Sequence, residues 1–258
     1  MLGDIKTVAQ GTFDRYFHMK ELYIIILLCI VLVSIFGRYD ELTLRMGKEF
    51  MLDGALAVLS IVGLVTAMSV IFEKSREMRD KTAHFIITKP RGRFSYIWGK
   101  FLGVSALSVY NLGLIAAGSL LMFNMSGLWQ DDGVASFSTN FLRASGLIAV
   151  ESFVLTAIGL FLSLFLSDTL AALGLFVVFV LGHSLYMLPR FFAAKGWGWL
   201  EGLCNVFPNF FLLDLKSEVS ADMAITGDYV GYGVAYGALY AVAFVCLSVV
   251  VFSRKDIA

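Results

Sequence analysis

The sequence predicts an all-α polytopic membrane protein: six transmembrane helices, an amphipathic interfacial helix at the amino terminus and a charged cytoplasmic helix. Three observations carry this. The 258 residues are 59% hydrophobic and only 16% charged, where a soluble domain holds about a quarter charged residues. The charges gather in a few segments separated by long uncharged runs. Several of those runs reach the ~20 residues needed to cross a hydrocarbon core as helix. The whole chain, 1–258, reads as a single transmembrane domain.

Residues 1–20 open with Ile5, Val8, Ala9, Phe13, Tyr16 and Phe17 at helical spacing, with Asp4, Gln10, Asp14, Arg15 and His18 largely elsewhere. That stripe predicts a helix lying flat in the inner headgroup layer. Apolar runs then place spans at Phe17–Gly37, Leu52–Phe72, Phe101–Met125, Leu142–Leu166, Leu170–Leu188 and Tyr229–Phe252. Between the last two, residues 189–228 are rich in aromatics (Trp197, Trp199, Phe207, Phe210, Phe211) and interrupted by Pro208 and several glycines. Such a segment favours the interface as short helices, because an ordinary loop would expose too much apolar surface to water.

Lysine and arginine set the orientation. With the amino terminus inside, inner segments hold 13 of them and outer segments 7. Both termini and the 73–100 connection then lie on the cytoplasmic side of the cell's inner membrane. A net charge of zero gives no nucleic-acid signal. Cys29, Cys204 and Cys246 are widely spaced and suggest neither a metal site nor a disulfide framework.

The segment from Glu73 to Phe94 is the densest charge cluster. Glu73 and Arg76 are three apart; Arg76 and Asp80, and Glu77 and Lys81, are four apart. These are helix-surface pairs, so a short helix should continue out of the second span. Pro90 and Gly92 end it. Basic residues alone would serve to hold the chain right side in. The carboxylates of Glu73, Glu77 and Asp80, and the apolar Phe85-Ile86-Ile87, are better suited to docking a soluble partner.

With Glu73, Arg76, Thr82, Phe85-Ile86-Ile87, Pro90, Arg93 and Gly99-Lys100 in this order, the stretch resembles the loop between the second and third spans of ABC-2 family permeases. These are the membrane subunits of ATP-binding-cassette exporters. One departure is Lys81, where the family commonly has glycine before the threonine. The amphipathic entry helix, six spans, long aromatic connection and short basic tail fit the same plan. The resemblance implies that Glu73, Arg76, Glu77, Asp80, Thr82 and Pro90 form a coupling segment on which a separate ATPase chain docks. It also implies two ATPase copies using ATP and magnesium, and a second permease copy or paralogue. The chain itself has no G-x-x-x-x-G-K-[ST] loop, so it is not expected to be an ATPase or to bind a cofactor. Membrane lipid and an envelope or periplasmic protein are further expected partners.

Within the bilayer, Glu151 in the fourth span is the conspicuous ionisable group, and a charge there is costly unless protonated or paired. His183 in the fifth span is a candidate partner. The pair is read as a gating contact or part of a substrate path, against a purely structural buried carboxyl. Asp53 and Arg143, near span ends, are expected to snorkel to water, and Asp168 to cap the fifth helix. Gly233, Gly237 and Ala241, four apart, predict close helix packing. Alternative functions are an ion-coupled secondary transporter or a non-transport scaffold subunit. A membrane-embedded enzyme is disfavoured, since neither H-E-x-x-H nor G-x-S-x-G occurs.

Overall fold

The computed structural model describes residues 2–17, 27–33, 35, 47–79, 93–126, 134–221, 223 and 225–254. Regular structure among them is helical throughout. The elements are α1 (Leu2–Phe17), α2 (Gly47–Arg79), α3 (Arg93–Ser126), α4 (Val134–Ser163), α5 (Asp168–Ser184), α6 (Leu188–Ala194) and α7 (Gly198–Val206). A 3-10 turn (Phe210–Leu212), α8 (Lys216–Ser220) and α9 (Gly227–Arg254) complete them.

Four helices are long and apolar enough to cross a membrane, over Met51–Glu73, Phe94–Met125, Ser138–Ser163 and Gly227–Arg254. They coincide with the second, third, fourth and sixth predicted spans. The fifth is a broken pair, because α5 turns by 71° into α6. Pro189 stands in the first turn of α6, and a proline there cannot continue the α5 hydrogen-bond ladder. Of the first predicted span, Phe17, which ends α1, and residues 27–33 and 35 are described, all helical. At the head of α5, Ser167 takes the N-cap position and makes no side-chain cap bond. Asp168 therefore sits in the first turn, where it favours the helix dipole, and does not cap.

α4 is the hub, packed against α2, α3, α5 and α9. Small residues bring α9 onto it. A side chain at Gly233 would run into Leu147 and one at Gly237 into Val150, while Ala241 is buried one turn further on. The predicted small-residue stripe is thus a contact with α4 inside this chain. A polar seam joins α2, α3 and α4 through the middle of the bundle. Ser152 Oγ donates to Ser108 Oγ at 2.9 Å, and Asn111 Nδ2 to Thr66 Oγ1 at 3.3 Å. Such bonds are each worth about 0.6 kcal/mol between membrane helices, and they fix the rotation of each helix.

The bundle has two distinct ends. At the charged end α2 leaves and α3 enters, and Phe252 of α9 stacks on Tyr96 of α3 at 5.8 Å. At the other, aromatic end lie the start of α2 and the connection from α6 to α8.

The amino-terminal helix corrects one expectation. The sequence reading laid it flat against headgroups. Instead α1 runs beside α3 in the same direction. Ile5 and Val8 meet Gly99, Ala9 and Thr12 meet Gly103, and Phe13 and Phe17 meet Tyr110. The apolar stripe is therefore covered by a helix. Tyr16 adds a 2.7 Å hydrogen bond from its hydroxyl to the Ser69 carbonyl of α2.

Candidate functional site

Two constellations of charge stand out, one near each end of the bundle. At the charged end, Glu73 on α2 is buried, its side chain only 2% exposed, against 3% for Lys100 of α3. Lys100 Nζ is 3.0 Å from Glu73 Oε1, and the Arg15 guanidinium of α1 is 3.7 Å from the same oxygen. Lys100 also lies over the Tyr96 ring, 5.5 Å from its centroid. Three helices are thus tied by one carboxylate. The partners are Lys100, which the sequence places in the Gly99-Lys100 pair of the resemblance, and Arg15, from the polar face of the amino-terminal helix. Their signal was the interruption of apolar periodicity by Lys100 just inside a span. Arg76 and Glu77 lie on the last turns of α2. Asp80, Thr82 and Pro90 fall outside the described residues.

At the aromatic end, the connection between α7 and α9 folds inward. Non-helical backbone packed inside a bundle needs its polar groups satisfied. Tyrosines of α9 meet that need. Tyr236 Oη accepts from Asn209 N at 2.8 Å, Tyr229 donates to Leu212 O at 2.9 Å, and Tyr240 donates to Val206 O at 3.3 Å. Phe210 fills the space left by Gly182, where any side chain would collide with its ring. Arg143 donates to Ile225 O, and Asp53 accepts from Ser220 Oγ at 2.6 Å. Asp53 is exposed and lines an open cavity, Arg143 is half-buried, and both also fasten this inward fold. Tyr236→Phe should leave the Asn209 amide without its acceptor and cost about 1–2 kcal/mol, read as a lowered melting temperature in detergent.

The inward fold carries Asp214 to the bundle interior. Glu151 stands at the middle of the Ser138–Ser163 span, 1% exposed. His183 Nε2 is 3.7 Å from Glu151 Oε1 and 3.7 Å from Asp214 Oδ2. One imidazole nitrogen thus stands within reach of both carboxylates. Asp214 in turn holds Lys216, with Oδ2 to Nζ at 3.1 Å. The imidazole is set between the Phe179 ring at 4.6 Å and the Phe210 ring at 5.9 Å. Its Nδ1 lies 3.1 Å from the Phe179 carbonyl. A carbonyl only accepts, so Nδ1 carries a proton and Nε2 is the nitrogen turned to the carboxylates. Neither Glu151 oxygen has a hydrogen-bond partner among the described residues. An open cavity of about 340 Å³, lined by Asp53, Ala57, Phe211, Asp214, Lys216 and Ser217, reaches this chain of groups at Asp214. The structure brings together the two intramembrane residues singled out from sequence. It adds Asp214 and Lys216, which a linear reading left in a loop. Among the described residues, no group of three or more His, Cys, Asp and Glu side chains is arranged to hold a metal.

Residues 46–258 match the family model described as a protein of unknown function, DUF2705. The chain belongs to that family. The DUF2705 match takes in α2 to α9, and with them Glu73, Lys100, Glu151, His183 and Asp214; α1, with Arg15, precedes it. No curated protein matches the chain.

Proposed function

We propose that this DUF2705 chain is the permease subunit of an ATP-binding-cassette exporter of the ABC-2 type, powered by a separate ATPase chain. In this reading it crosses the inner membrane six times, with both termini and the 73–100 connection in the cytoplasm. Two ATPase copies and a second permease copy complete the transporter, and ATP with magnesium is consumed in the ATPase.

One observation carries the reading. α2 runs unbroken for 33 residues, from Gly47 to Arg79. That is roughly 50 Å of rigid helix, against a hydrocarbon core of about 30 Å. Its last turns extend past the span and bear Arg76 and Glu77. At the point of exit, Glu73 is joined to Lys100 and Arg15. A push on the projecting end therefore moves α1, α2 and α3 together. Glu73 acts in this scheme as the internal fastening of the lever, while Arg76, Glu77, Asp80, Thr82 and Pro90 supply the docking segment.

Mild-detergent purification followed by identification of bound subunits tests this directly. An ATPase chain should co-purify. Arg76→Glu with Glu77→Lys should release it while leaving the permease folded, with ATPase-driven transport reduced at least about tenfold. Retention of the ATPase with coupling intact would remove the docking assignment. Transport driven by an ion gradient with no ATPase present would replace the reading with an ion-coupled transporter.

A further inference from the structure

We infer that Glu151 is a proton-exchange site at the centre of the bundle, reached from the aromatic-end cavity through Asp214 and His183. The path needs no ATPase and stands whatever powers the chain. Its evidence is the arrangement of groups. Glu151 is 1% exposed and its oxygens have no hydrogen-bond partner among the described residues. A permanently ionised carboxylate in such a place is costly, whereas one that takes up and releases a proton needs a route to water. That route is present. Asp214 lines the open cavity, and His183 Nε2 lies 3.7 Å from each carboxylate. The Phe179 carbonyl holds the ring by Nδ1–H, so Nε2, the nitrogen free to exchange a proton, is the one that faces both.

The transfer balances in simple steps. The Asp214 carboxylate takes a proton from cavity water, leaving hydroxide, which bulk buffer neutralises. The proton passes from Asp214 Oδ2 to His183 Nε2, and an imidazolium forms between two carboxylates. Nε2–H then passes to Glu151 Oε1, and the neutral imidazole returns with its Nδ1 proton never displaced. Release runs in reverse. Each transfer requires the 3.7 Å separations to close by about 0.7 Å, within reach of small side-chain rotations. Lys216 Nζ lies 3.1 Å from Asp214 Oδ2 and holds that carboxyl at the cavity wall. Of the charged groups facing this path, α4 supplies Glu151, α5 His183, α2 Asp53 across the cavity, and the connection Asp214 and Lys216. The rings of Phe179 and Phe210 flank the imidazole and hold its plane.

Infrared difference spectroscopy of the full chain in lipid nanodiscs tests the path. The wild type should show a protonated-carboxyl C=O band that titrates with bulk pH and shifts promptly on transfer to D₂O. Glu151→Gln should abolish it. His183→Phe should keep the band but slow its response to D₂O by roughly a hundredfold, the usual contribution of a positioned acid–base group. Asp214→Asn should slow it as well. A merely structural histidine would alter melting temperature without altering exchange rate. The inference is overturned if the band survives Glu151→Gln, or if no carboxyl band titrates in the wild type. It is equally overturned if both His183→Phe and Asp214→Asn exchange as fast as the wild type. Loss of the band on adding Na⁺ or K⁺ at fixed pH would reassign the site to a metal cation.

Discussion

Lys100→Met is expected to destabilise the protein by about 3–5 kcal/mol, because it removes a cation that stands 3.0 Å from a buried carboxylate. Glu73 and Lys100 are 2% and 3% exposed, with 3.0 Å between them. Removing one partner of a buried pair costs more than exchanging both, because the desolvation of the other is then less fully offset. Arg15 remains 3.7 Å away and is 47% exposed, so it recovers part of the loss and holds the effect toward the lower end of that range. A fall in melting temperature on the order of 10 °C would accompany it. The double variant Glu73→Leu with Lys100→Met should recover most of the stability, since exchanging a whole buried pair for apolar groups is often neutral or better. The comparison separates two roles. If the triad is also the fastening of a lever, the double variant will be stable yet poorly coupled to the ATPase. If the single variant melts like the wild type, Glu73 is not sequestered and the triad is not a fastening.

Gly99→Leu together with Gly103→Leu should detach α1 from the bundle. Even a Cβ at Gly99 would lie 2.6 Å from Val8 Cβ, and one at Gly103 would lie 2.7 Å from the Ala9 carbonyl oxygen. The second of these is backbone and cannot rotate aside, so the helices must separate. Separation forfeits the Tyr16–Ser69 hydrogen bond, the Phe13–Tyr110 and Phe17–Tyr110 ring contacts and the Arg15 arm of the triad. Overpacking of this kind costs about 1–3 kcal/mol per site. Cysteines introduced by Phe13→Cys and Tyr110→Cys, whose parent rings are 6.2 Å apart, should crosslink in the otherwise unchanged protein and fail to do so in the double-leucine background. Efficient crosslinking in both would mean that α1 does not depend on the glycine pair.

Much of the architecture is written along the chain because apolar length is a local property. The spans around Leu52–Phe72, Phe101–Met125, Leu142–Leu166 and Tyr229–Phe252 need only enough consecutive apolar residues to cover the hydrocarbon core, and no partner has to be known to count them. The Gly233–Gly237–Ala241 stripe is legible for a similar reason, since small residues one turn apart leave a groove whatever fills it. The sequence could not name the filler, which is Leu147 and Val150 of α4. Glu151 and His183 are conspicuous as ionisable groups in apolar runs, and the structure sets them 3.7 Å apart.

Other features depended on distance in space. An amphipathic stripe has the same pattern whether lipid or a helix covers it, so only packing revealed that α1 lies on α3. Asp214 and Lys216 look like ordinary loop charges until the connection folds inward and sets them beside His183. Glu73 looked like part of a docking face until Lys100, 27 positions along the chain, closed over it. Composition and periodicity determine which segments leave water. Which polar group meets which inside is decided by helix rotation and register, and these are set by side-chain fit between segments far apart in sequence.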